Sequence, residues 1–350
     1  MTDMLDRFDV LLADLDGTLY RGPVVVPGAA EAVEAAGKRG VRTWYVTNNA
    51  SRTPQDVAAH LVELGFPATA AEVVTSSQAA ARLLAEQLPA GSTVLVVGTE
   101  ALVGEVEAVG LATTREAEGA VAVVQGHSPD TGWRILAEAT VALRAGAVWV
   151  ACNLDPTLPT ERGPLPGNGS MVSVLRIASG REPQVAGKPG PALLDVAARQ
   201  AGASAPLMIG DRLDTDIEGG RAAGMATLLV LTGVSDAVEV LSAPPERRPD
   251  YIGADMNALD ADPDDLAPGA RAGWEVTVAD RGELRLSGSG DALDALRALC
   301  GAHWAAGGGP ARVTSGGGDA DRAIRDLGLG GGEIGSATVG AAPRPSGADR

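Results

Sequence analysis

Short apolar runs alternate with amphipathic stretches along the first part of the chain. Residues 8–15 form a compact apolar run, which predicts a buried strand, and residues 28–39 carry apolar side chains at helical spacing. Residues 42–47 predict another strand, and Thr53-Pro54 predicts the start of a helix that ends at Gly65. Such alternation favours a parallel sheet with helices on both faces, so we expect an α/β fold.

The alternation continues in the middle of the chain with a separate set of strands. Its apolar runs are residues 93–97, 120–124 and 148–151. Residues 185–231 then show the same alternation of apolar runs and amphipathic stretches as the first part of the chain. We therefore predict a Rossmann-like core, formed by residues 1–79 and 183–260, that is interrupted by an inserted α/β cap of residues 80–182.

The pattern changes again after residue 260, where residues 260–265 form an acidic linker that contains proline. Residues 274–286 predict a β-hairpin, and a helical pattern follows at residues 291–304. We predict a small C-terminal α+β module of residues 268–335 and a disordered tail of residues 336–350, which is rich in Gly, Ala and Pro. We also expect the core to fold without the residues that follow the linker.

Composition and charge narrow the choice of function. The chain of 350 residues is 45% hydrophobic but has only short apolar runs, which predicts a globular protein without a membrane span. Its net charge of −17 repels nucleic acid and anionic membranes, so we expect neither as a partner. The N-terminal residues show no secretory signal, and Cys152 and Cys300 lie far apart, so a cytoplasmic protein with reduced thiols is expected. A homodimer remains open.

Two carboxylates, on Asp14 and Asp16, directly follow the first predicted strand. Ligands of open parallel sheets bind beyond the carboxyl ends of the strands, so both side chains arrive where a substrate would bind. The segment Asp14-Leu-Asp-Gly-Thr could also begin a turn or a calcium loop. An EF-hand loop would need a glutamate where this chain has Val25, and an EF-hand is therefore excluded.

Further polar segments occupy equivalent positions at strand or helix ends. Thr47 and Asn48 end the second strand, Lys188 precedes a helix, and Asp211 and Asp216 follow a later strand. Each segment alone has an ordinary explanation, as turn chemistry, a solvated lysine or a charged helix cap. Together, hydroxyl, amide, ammonium and carboxylate groups at the edge of one sheet favour phosphate chemistry with a metal ion.

This order of motifs resembles the haloacid dehalogenase-like (HAD) phosphatases of subclass IIA, in which a large α/β cap lies between the second and third motifs. The resemblance covers about residues 8–260 and includes the cap sequences Asn153-Leu-Asp-Pro-Thr and Gly167-Asn-Gly-Ser. Members of the subclass act on nucleotides, pyridoxal phosphate, 4-nitrophenyl phosphate or glycerol phosphate. The resemblance implies an Mg²⁺-dependent phosphomonoester hydrolase of a small metabolite.

The resemblance also implies individual roles. Asp14 would be the nucleophile that forms an aspartyl-phosphate, and Asp16 would act as general acid and then general base. The Asp14 carboxylate, the Asp16 main-chain carbonyl and the Asp211 carboxylate would bind Mg²⁺, with Asp216 in support. Such oxygen ligands suit magnesium.

By the same resemblance, Thr47, Asn48 and Lys188 would bind the phosphoryl oxygens, whose negative charge they would stabilise.

The resemblance also implies that substrate-specifying residues lie in the cap loop, which we define as residues 153–170. The loop contains no Phe, Trp, Tyr or His. Its polar candidates are Asn153, Asp155, Arg162, Asn168 and Ser170. We therefore expect glycerol 3-phosphate as the substrate, with pyridoxal phosphate, a nucleotide or 4-nitrophenyl phosphate as alternatives. The C-terminal extension also resembles that of a branch of the subclass that includes glycerol 3-phosphate phosphatases.

The histidines His60 and His127 are interpreted as solvated or core residues rather than as ligands.

Other functions on the same fold are partly excluded. Haloacid dehalogenases lack the second aspartate of the first motif, which this chain has in Asp16. P-type pumps have membrane-spanning helices, and the short apolar runs of this chain exclude that class. Phosphomutases keep both aspartates and remain open, as does a catalytically silent binding or regulatory protein on this fold.

Overall fold

The structure, a computed structural model, describes residues 3–158, 160, 162–279 and 282–330. The predicted disordered tail, residues 336–350, lies outside the described residues. The strands are β1 (Val10–Ala13), β2 (Tyr20–Arg21), β3 (Val24–Val25), β4 (Arg42–Thr47), β5 (Val73–Thr75), β6 (Thr93–Val97), β7 (Ala112–Thr114), β8 (Ala122–Gln125), β9 (Val148–Ala151), β10 (Thr157–Leu158), β11 (Leu165–Pro166), β12 (Gln184–Val185), β13 (Pro206–Gly210), β14 (Ala226–Val230), β15 (Tyr251–Gly253), β16 (Trp274–Val278), β17 (Glu283–Gly288) and β18 (Arg312–Ser315).

The helices connect these strands in the alternation that the sequence predicts. They are α1 (Met4–Arg7), α2 (Ala29–Lys38), α3 (Pro54–Glu63), α4 (Ser76–Ala85), α5 (Glu100–Ala108), α6 (Trp133–Arg144), α7 (Asn168–Ser179), α8 (Ala192–Ala201), α9 (Glu218–Ala222), α10 (Ala237–Leu241), α11 (Pro263–Leu266), α12 (Ala292–Ala305) and α13 (Gly318–Asp326). Shorter helical turns lie at Ala70–Glu72, Leu213–Ile217, Pro245–Arg247 and Met256–Asp260.

The first sheet has the strand order β15-β14-β13-β1-β4-β5, and each neighbouring pair is parallel. All residues of the central strand β1 are buried. Val10 and Leu12 belong to one hydrophobic cluster, whereas Leu11 and Ala13 belong to another. Because successive side chains of a strand point to opposite faces, the first sheet is covered by apolar residues on both sides. The predicted parallel α/β fold is thereby confirmed.

The second sheet has the order β12-β9-β8-β6-β7 and is also parallel. Most of its strands come from the segment predicted to be a cap, but β12 lies just beyond the predicted boundary at residue 182. Gln184 and Val185 pair with β9 because the chain runs alongside that strand before it reaches Lys188. The domain boundaries themselves stay predictions.

The described part of the chain divides into two compact units, and the second is not a simple C-terminal extension. It contains Ser235–Arg248 in addition to the residues from Ala267 onward. Within it, β16 pairs antiparallel and β18 parallel with the middle strand β17. Helix α10 packs on α12, where the indole nitrogen of Trp304 donates a hydrogen bond to the main-chain oxygen of Leu241 (3.2 Å). The predicted module of residues 268–335 therefore lacks one segment of the observed unit.

Neither a membrane span nor a disulfide is visible in the described ranges. No helix there is both long enough and apolar enough to cross a membrane. Cys152 and Cys300 are buried free thiols, and burial raises the pKa of Cys152 to about 12. Their expected reduced state agrees with this burial.

The path of the chain predicts the effect of a truncation. Deletion of residues 267–350 would remove α12 while α10 stays in the chain, and buried Val240 and Leu241 would lose their packing partners. Exposure of such side chains costs about 1.5–3 kcal/mol each. We expect the truncated protein to show a lower soluble yield and to bind a hydrophobic dye. The matched control carries Val240→Ser and Leu241→Gln in the same truncation and should regain solubility. A truncated chain that stays as soluble as the full chain would contradict this expectation.

Candidate active site

The loop after β1 presents Asp14 and Asp16 at the carboxyl end of the first sheet. The main-chain N–H of Asp14 donates to Ile209 in the neighbouring strand (2.9 Å), which holds the end of β1 against β13. Gly17 follows with a φ of +94°, and a β-carbon there would lie 2.4 Å from Oδ2 of Asp211. Only glycine therefore allows the loop to pass so close to that carboxylate.

Asp211 and Asp216 enter the site from the end of β13. Asp211 is fully buried, and its Oδ2 accepts the N–H of Val234 (2.7 Å). A β-carbon at Gly233 would lie 1.9 Å from the same oxygen, so a second glycine leaves room for Asp211. Asp216 lies on the helical turn Leu213–Ile217, and its Oδ2 accepts the N–H of Arg212 (3.1 Å).

Lys188 joins these carboxylates. Its Nζ lies 2.5 Å from Oδ1 of Asp14 and 2.7 Å from Oδ1 of Asp216. The side chains of Lys188 and Asp216 are 2% and 1% exposed, so these charges are withdrawn from water. Buried charges of this kind persist only when they are paired. With Asp211 beside them, the carboxylates outnumber the Lys188 ammonium.

Burial is the main cause of the raised carboxyl pKa values in this cluster, and neighbouring carboxylates add to it. Burial raises the pKa of Asp14 to about 8, although Lys188 opposes the rise. Burial, followed by the charge of Asp216, raises the pKa of Asp211 to about 7. Burial alone would lower the pKa of Lys188, but Asp14 and Asp216 hold it above its usual range. A further cation would allow all the carboxylates to ionise at neutral pH.

The residues present fit a magnesium ion. One carboxylate oxygen from each of Asp14, Asp211 and Asp216 lies within 4.8 Å of the others. Oδ1 of Asp211 is buried and has no hydrogen-bond partner among the residues that the structure describes. Carboxylate oxygens are the ligands that magnesium prefers. Asp216 thus joins the cluster directly. The Asp16 carboxylate lies outside it and accepts the N–H of Gly22 (3.3 Å), and the predicted ligation by the Asp16 carbonyl stays a prediction.

A cavity of about 700 Å³ brings the sequence motifs together. Its wall includes Asp14, Asp16, Thr47, Asn48, Lys188 and Asp216. Asp211 lies behind this wall, where it is fully buried. The arrangement offers a carboxylate nucleophile, a nearby second carboxylate and positive charge to one bound phosphoryl group.

The side chain of Asn48 is hydrogen-bonded to the main chain of Lys188. Its Oδ1 accepts the N–H of Lys188 (2.8 Å), and its Nδ2 donates to the main-chain oxygen of Lys188 (2.9 Å). The side chain therefore holds the Lys188 segment, and binding of phosphate by Asn48 would fall to its main-chain N–H. Thr47 ends β4, and its Oγ1 accepts the N–H of Asn49 (3.1 Å).

The cap loop contributes only some of its predicted residues. Asn153, Asp155 and Asn168 line the cavity. Arg162 and Ser170 do not appear among the described residues of its wall. Arg162 lies between the paired strands β10 and β11, where its N–H donates to Oγ1 of Thr160 (3.2 Å). Ser170 lies in α7 and donates to the main-chain oxygen of Pro156 (2.7 Å), so both residues shape the loop.

Several cavity residues were not expected. The wall also contains Tyr20, Arg52, His60, His127 and Arg212. The sequence interprets His60 and His127 as solvated or core histidines, and the structure places both at the cavity wall.

The rings of Tyr20 and His60 meet edge to face at 5.3 Å. Burial raises the pKa of Tyr20 to about 12, with smaller contributions from Asp14 and Asp16. No local pattern marks these residues, because β2 and α3 meet at the cavity only through the tertiary fold.

Comparison with protein families gives three matches along the chain. Residues 11–112 match the haloacid dehalogenase-like hydrolase model, and residues 185–259 match a second HAD-hydrolase-like model. Residues 271–329 match the GCN5-related N-acetyltransferase-like domain, which lies in the second compact unit and was not foreseen from its sequence.

Curated relatives cover most of the chain. A D-glycerol 3-phosphate phosphatase from Mycobacterium tuberculosis is 51% identical over 315 residues, which cover 87% of this chain and 88% of the relative. The 5′-nucleotidase YutF of Bacillus subtilis is 43% identical over 226 residues, which cover 64% of this chain and 87% of that protein.

Solved structures agree with these matches. The crystal structure of a glycerol phosphate phosphatase from Mycobacterium tuberculosis in complex with magnesium has a TM-score of 0.88 and 49% identity, and covers 94% of this chain and 99% of that chain. Its complex with calcium has a TM-score of 0.90 at 49% identity, with 93% and 98% covered. The chain therefore belongs to the haloacid dehalogenase-like hydrolase family, within which it is a phosphatase.

Proposed function

We propose that this phosphatase depends on Mg²⁺ and hydrolyses glycerol 3-phosphate through an aspartyl-phosphate on Asp14. The observation that carries the proposal is the position of the Lys188 ammonium between Asp14 and Asp216 at the wall of the cavity. The similarity to a D-glycerol 3-phosphate phosphatase over 87% of the chain supports the choice of substrate.

Asp14 acts as the nucleophile in this proposal. One carboxylate oxygen attacks phosphorus, the bond from phosphorus to the glycerol oxygen breaks, and an acyl phosphate forms. Such an intermediate is labile, so a difficult hydrolysis is divided into two easier steps. The Lys188 ammonium lies 2.5 Å from Oδ1 of Asp14. From this position it stabilises the negative charge of the phosphoryl group.

Asp16 acts as the general acid and then as the general base. Its side chain is exposed to the cavity and is held by the N–H of Gly22 at 3.3 Å, outside the buried carboxylate cluster. It donates a proton to the departing glycerol oxygen and later takes one from the water that attacks the aspartyl-phosphate. Such proton transfer typically accelerates a reaction by about 10²–10⁴-fold.

The remaining motif residues bind the phosphoryl group. The Thr47 hydroxyl, the Asn48 main-chain N–H and the Lys188 ammonium stabilise its oxygens, the main requirement in phosphoryl transfer. Asp14, Asp211 and Asp216 would hold magnesium, together with the main-chain carbonyl of Asp16. The ion would neutralise part of the charge shared by these carboxylates and the phosphoryl oxygens.

A small polyol phosphate suits the polar part of the cavity wall. Asp155 and Thr157 line the cavity, whereas both ends of the Asn153 carboxamide are engaged in hydrogen bonds to Asn48 and Asp155. A site that binds hydroxyl groups would discriminate against analogues that lack them. A nucleoside monophosphate is the second candidate, because Tyr20, His60 and His127 also line the cavity and could contact a base. A 5′-nucleotidase among the relatives supports this alternative.

The expected cytoplasmic location and homodimer remain proposals of the same kind. The location is inferred from the sequence alone, which leaves the homodimer open. A small phosphorylated metabolite as the binding partner follows from membership of the family.

Asp14→Asn should remove nearly all turnover, because a neutral amide is too weak a nucleophile to form the covalent intermediate. We expect less than about a hundredth of the wild-type rate of phosphate release. Asp16→Asn should slow both formation and hydrolysis of the intermediate. Glu31→Gln, an exposed change on α2, is the control, and circular dichroism checks folding. A folded Asp14→Asn enzyme with substantial turnover would refute the covalent role.

Excess chelator should abolish activity and added magnesium should restore it, while calcium, which accepts more oxygen ligands, should inhibit. Asp211→Asn should raise the half-saturating magnesium concentration by about tenfold or more. It should also reduce the rise in Tm that magnesium gives by binding the folded state. Asp214→Asn makes the same chemical change outside the carboxylate cluster and should leave both readings unchanged. Full activity in chelator would exclude the metal.

The choice of substrate is tested by kcat/KM for glycerol 3-phosphate, pyridoxal 5′-phosphate and a nucleoside monophosphate at one magnesium concentration. We expect glycerol 3-phosphate to be preferred, since the cap loop lacks the aromatic side chains that usually stack on a base or ring. A preference of about tenfold or more for either aromatic substrate, equivalent to 1.4 kcal/mol or more, would replace glycerol 3-phosphate without affecting the phosphatase assignment.

A further inference from the structure

Asn48 makes more hydrogen bonds than a phosphate-binding role requires. We propose that Asn48 is a positioning residue, which aligns Lys188 with Asp14 and links that alignment to the second sheet through Asn153. The inference rests on the proposed function of Lys188 at the same site.

The first part of the argument is the contact with Lys188. The carboxamide of Asn48 accepts the N–H of Lys188 at 2.8 Å and donates to its main-chain oxygen at 2.9 Å, and a longer contact of 3.5 Å joins its Nδ2 to Oδ2 of Asp155. The assignment of oxygen and nitrogen follows from the chemistry, because the N–H needs an acceptor and the carbonyl needs a donor. The two bonds fix the main chain on both sides of the Lys188 α-carbon. A β-carbon at Gly187 would lie 2.5 Å from Oδ1 of Asn48, so glycine permits the close approach.

The second part is the link to the second sheet. The main-chain oxygen of Asn48 accepts Nδ2 of Asn153, which follows β9, at 2.7 Å. The main-chain oxygen of Asn153 accepts Nδ2 of Asn168, the first residue of α7, at 2.7 Å. A continuous series of amide hydrogen bonds therefore runs from Asn168 through Asn153 and Asn48 to Lys188.

The position of the Lys188 ammonium depends on support from the main chain. Its side chain is long and has many rotamers, yet Nζ must lie between Asp14 and Asp216. The energy of a buried ion pair depends on its geometry, so a small shift of the Lys188 main chain weakens both contacts. Because Lys188 stabilises charge that develops during phosphoryl transfer, misalignment lowers kcat more than it raises KM.

Asn48→Ala removes the carboxamide but keeps the main-chain N–H that would bind phosphate. We expect kcat to fall by about 10- to 100-fold, as the loss of two hydrogen bonds suggests, while KM changes by less than about threefold. The loss should be the same for glycerol 3-phosphate and for acetyl phosphate, whose leaving group is too short to need the cap loop. The inhibition constant of orthovanadate should rise in parallel.

Asn48→Asp provides a second variant of nearly unchanged shape, in case Asn48→Ala does not fold. It still accepts the N–H of Lys188 but cannot donate to the Lys188 carbonyl, and its second oxygen faces Oδ2 of Asp155 in place of the 3.5 Å amide contact. We expect kcat to fall by about tenfold or more.

Asn153→Ala should lower kcat for both substrates by a smaller factor. The effects of Asn48→Ala and Asn153→Ala should not multiply in the double variant, because both act through one contact. Ser76→Ala is the matched control, since Ser76 Oγ donates to the same Asn48 oxygen at 2.7 Å without reaching the second sheet. Its kcat should stay within about twofold of the wild-type value.

An unchanged kcat in a folded Asn48 variant would overturn the proposal. A loss that Ser76→Ala reproduces, together with a lower Tm, would overturn it in favour of a structural role. A loss in Asn153→Ala confined to glycerol 3-phosphate would mean direct contact with substrate and would overturn the link to the second sheet. If the wild-type enzyme cleaves only acetyl phosphate, glycerol 3-phosphate is not its substrate. The role of Asn48 is then tested by the kcat of its variants with acetyl phosphate.

Discussion

The Lys188 ammonium, buried between Asp14 and Asp216, is the contact on which the site depends. With Asp211 alongside, the carboxylates carry more negative charge than Lys188 can balance, and burial raises the pKa of Asp14 to about 8. A phosphate monoester adds further negative charge to the same place. We therefore expect metal binding and substrate binding to be interdependent, because a cation offsets the negative charge of both the carboxylates and the phosphate. The net charge of −17 on the whole chain strengthens this interdependence.

The fold around the carboxylates is arranged to bring them together. β1 and β13 are neighbours in the first sheet, so Asp14 and Asp211, which follow them, arrive at one edge. Glycines at positions 17 and 233 leave the space that Asp211 occupies. The carboxylates repel one another, and the apolar residues on both faces of the sheet supply the stability that holds them close.

The sequence predicted those parts of the site that follow from strand ends. Asp14 and Asp211 come directly after strands of a parallel sheet and Thr47 is the last residue of β4, and such ends meet wherever the strands are adjacent. The cap loop was less predictable, since the position of Arg162 and Ser170 depends on how the loop pairs with itself.

Tyr20, His60 and His127 were missed for a related reason. They come from separate elements that meet only in the folded protein, and nothing in their local sequence records that meeting. Gly17 was recognised as a turn residue, whereas its close approach to Asp211 required the tertiary structure.

The path of the chain between the two compact units has a consequence for biosynthesis. Ser235–Arg248 belongs to the second unit, yet residues 249–266 return to the first before the rest of the second unit is made. On the ribosome, α10 emerges well before α12, on which it packs. The apolar side chains of α10 therefore stay exposed until α12 has been synthesised, whereas the first unit can already complete its sheet. A chaperone that shields α10 would act during that interval.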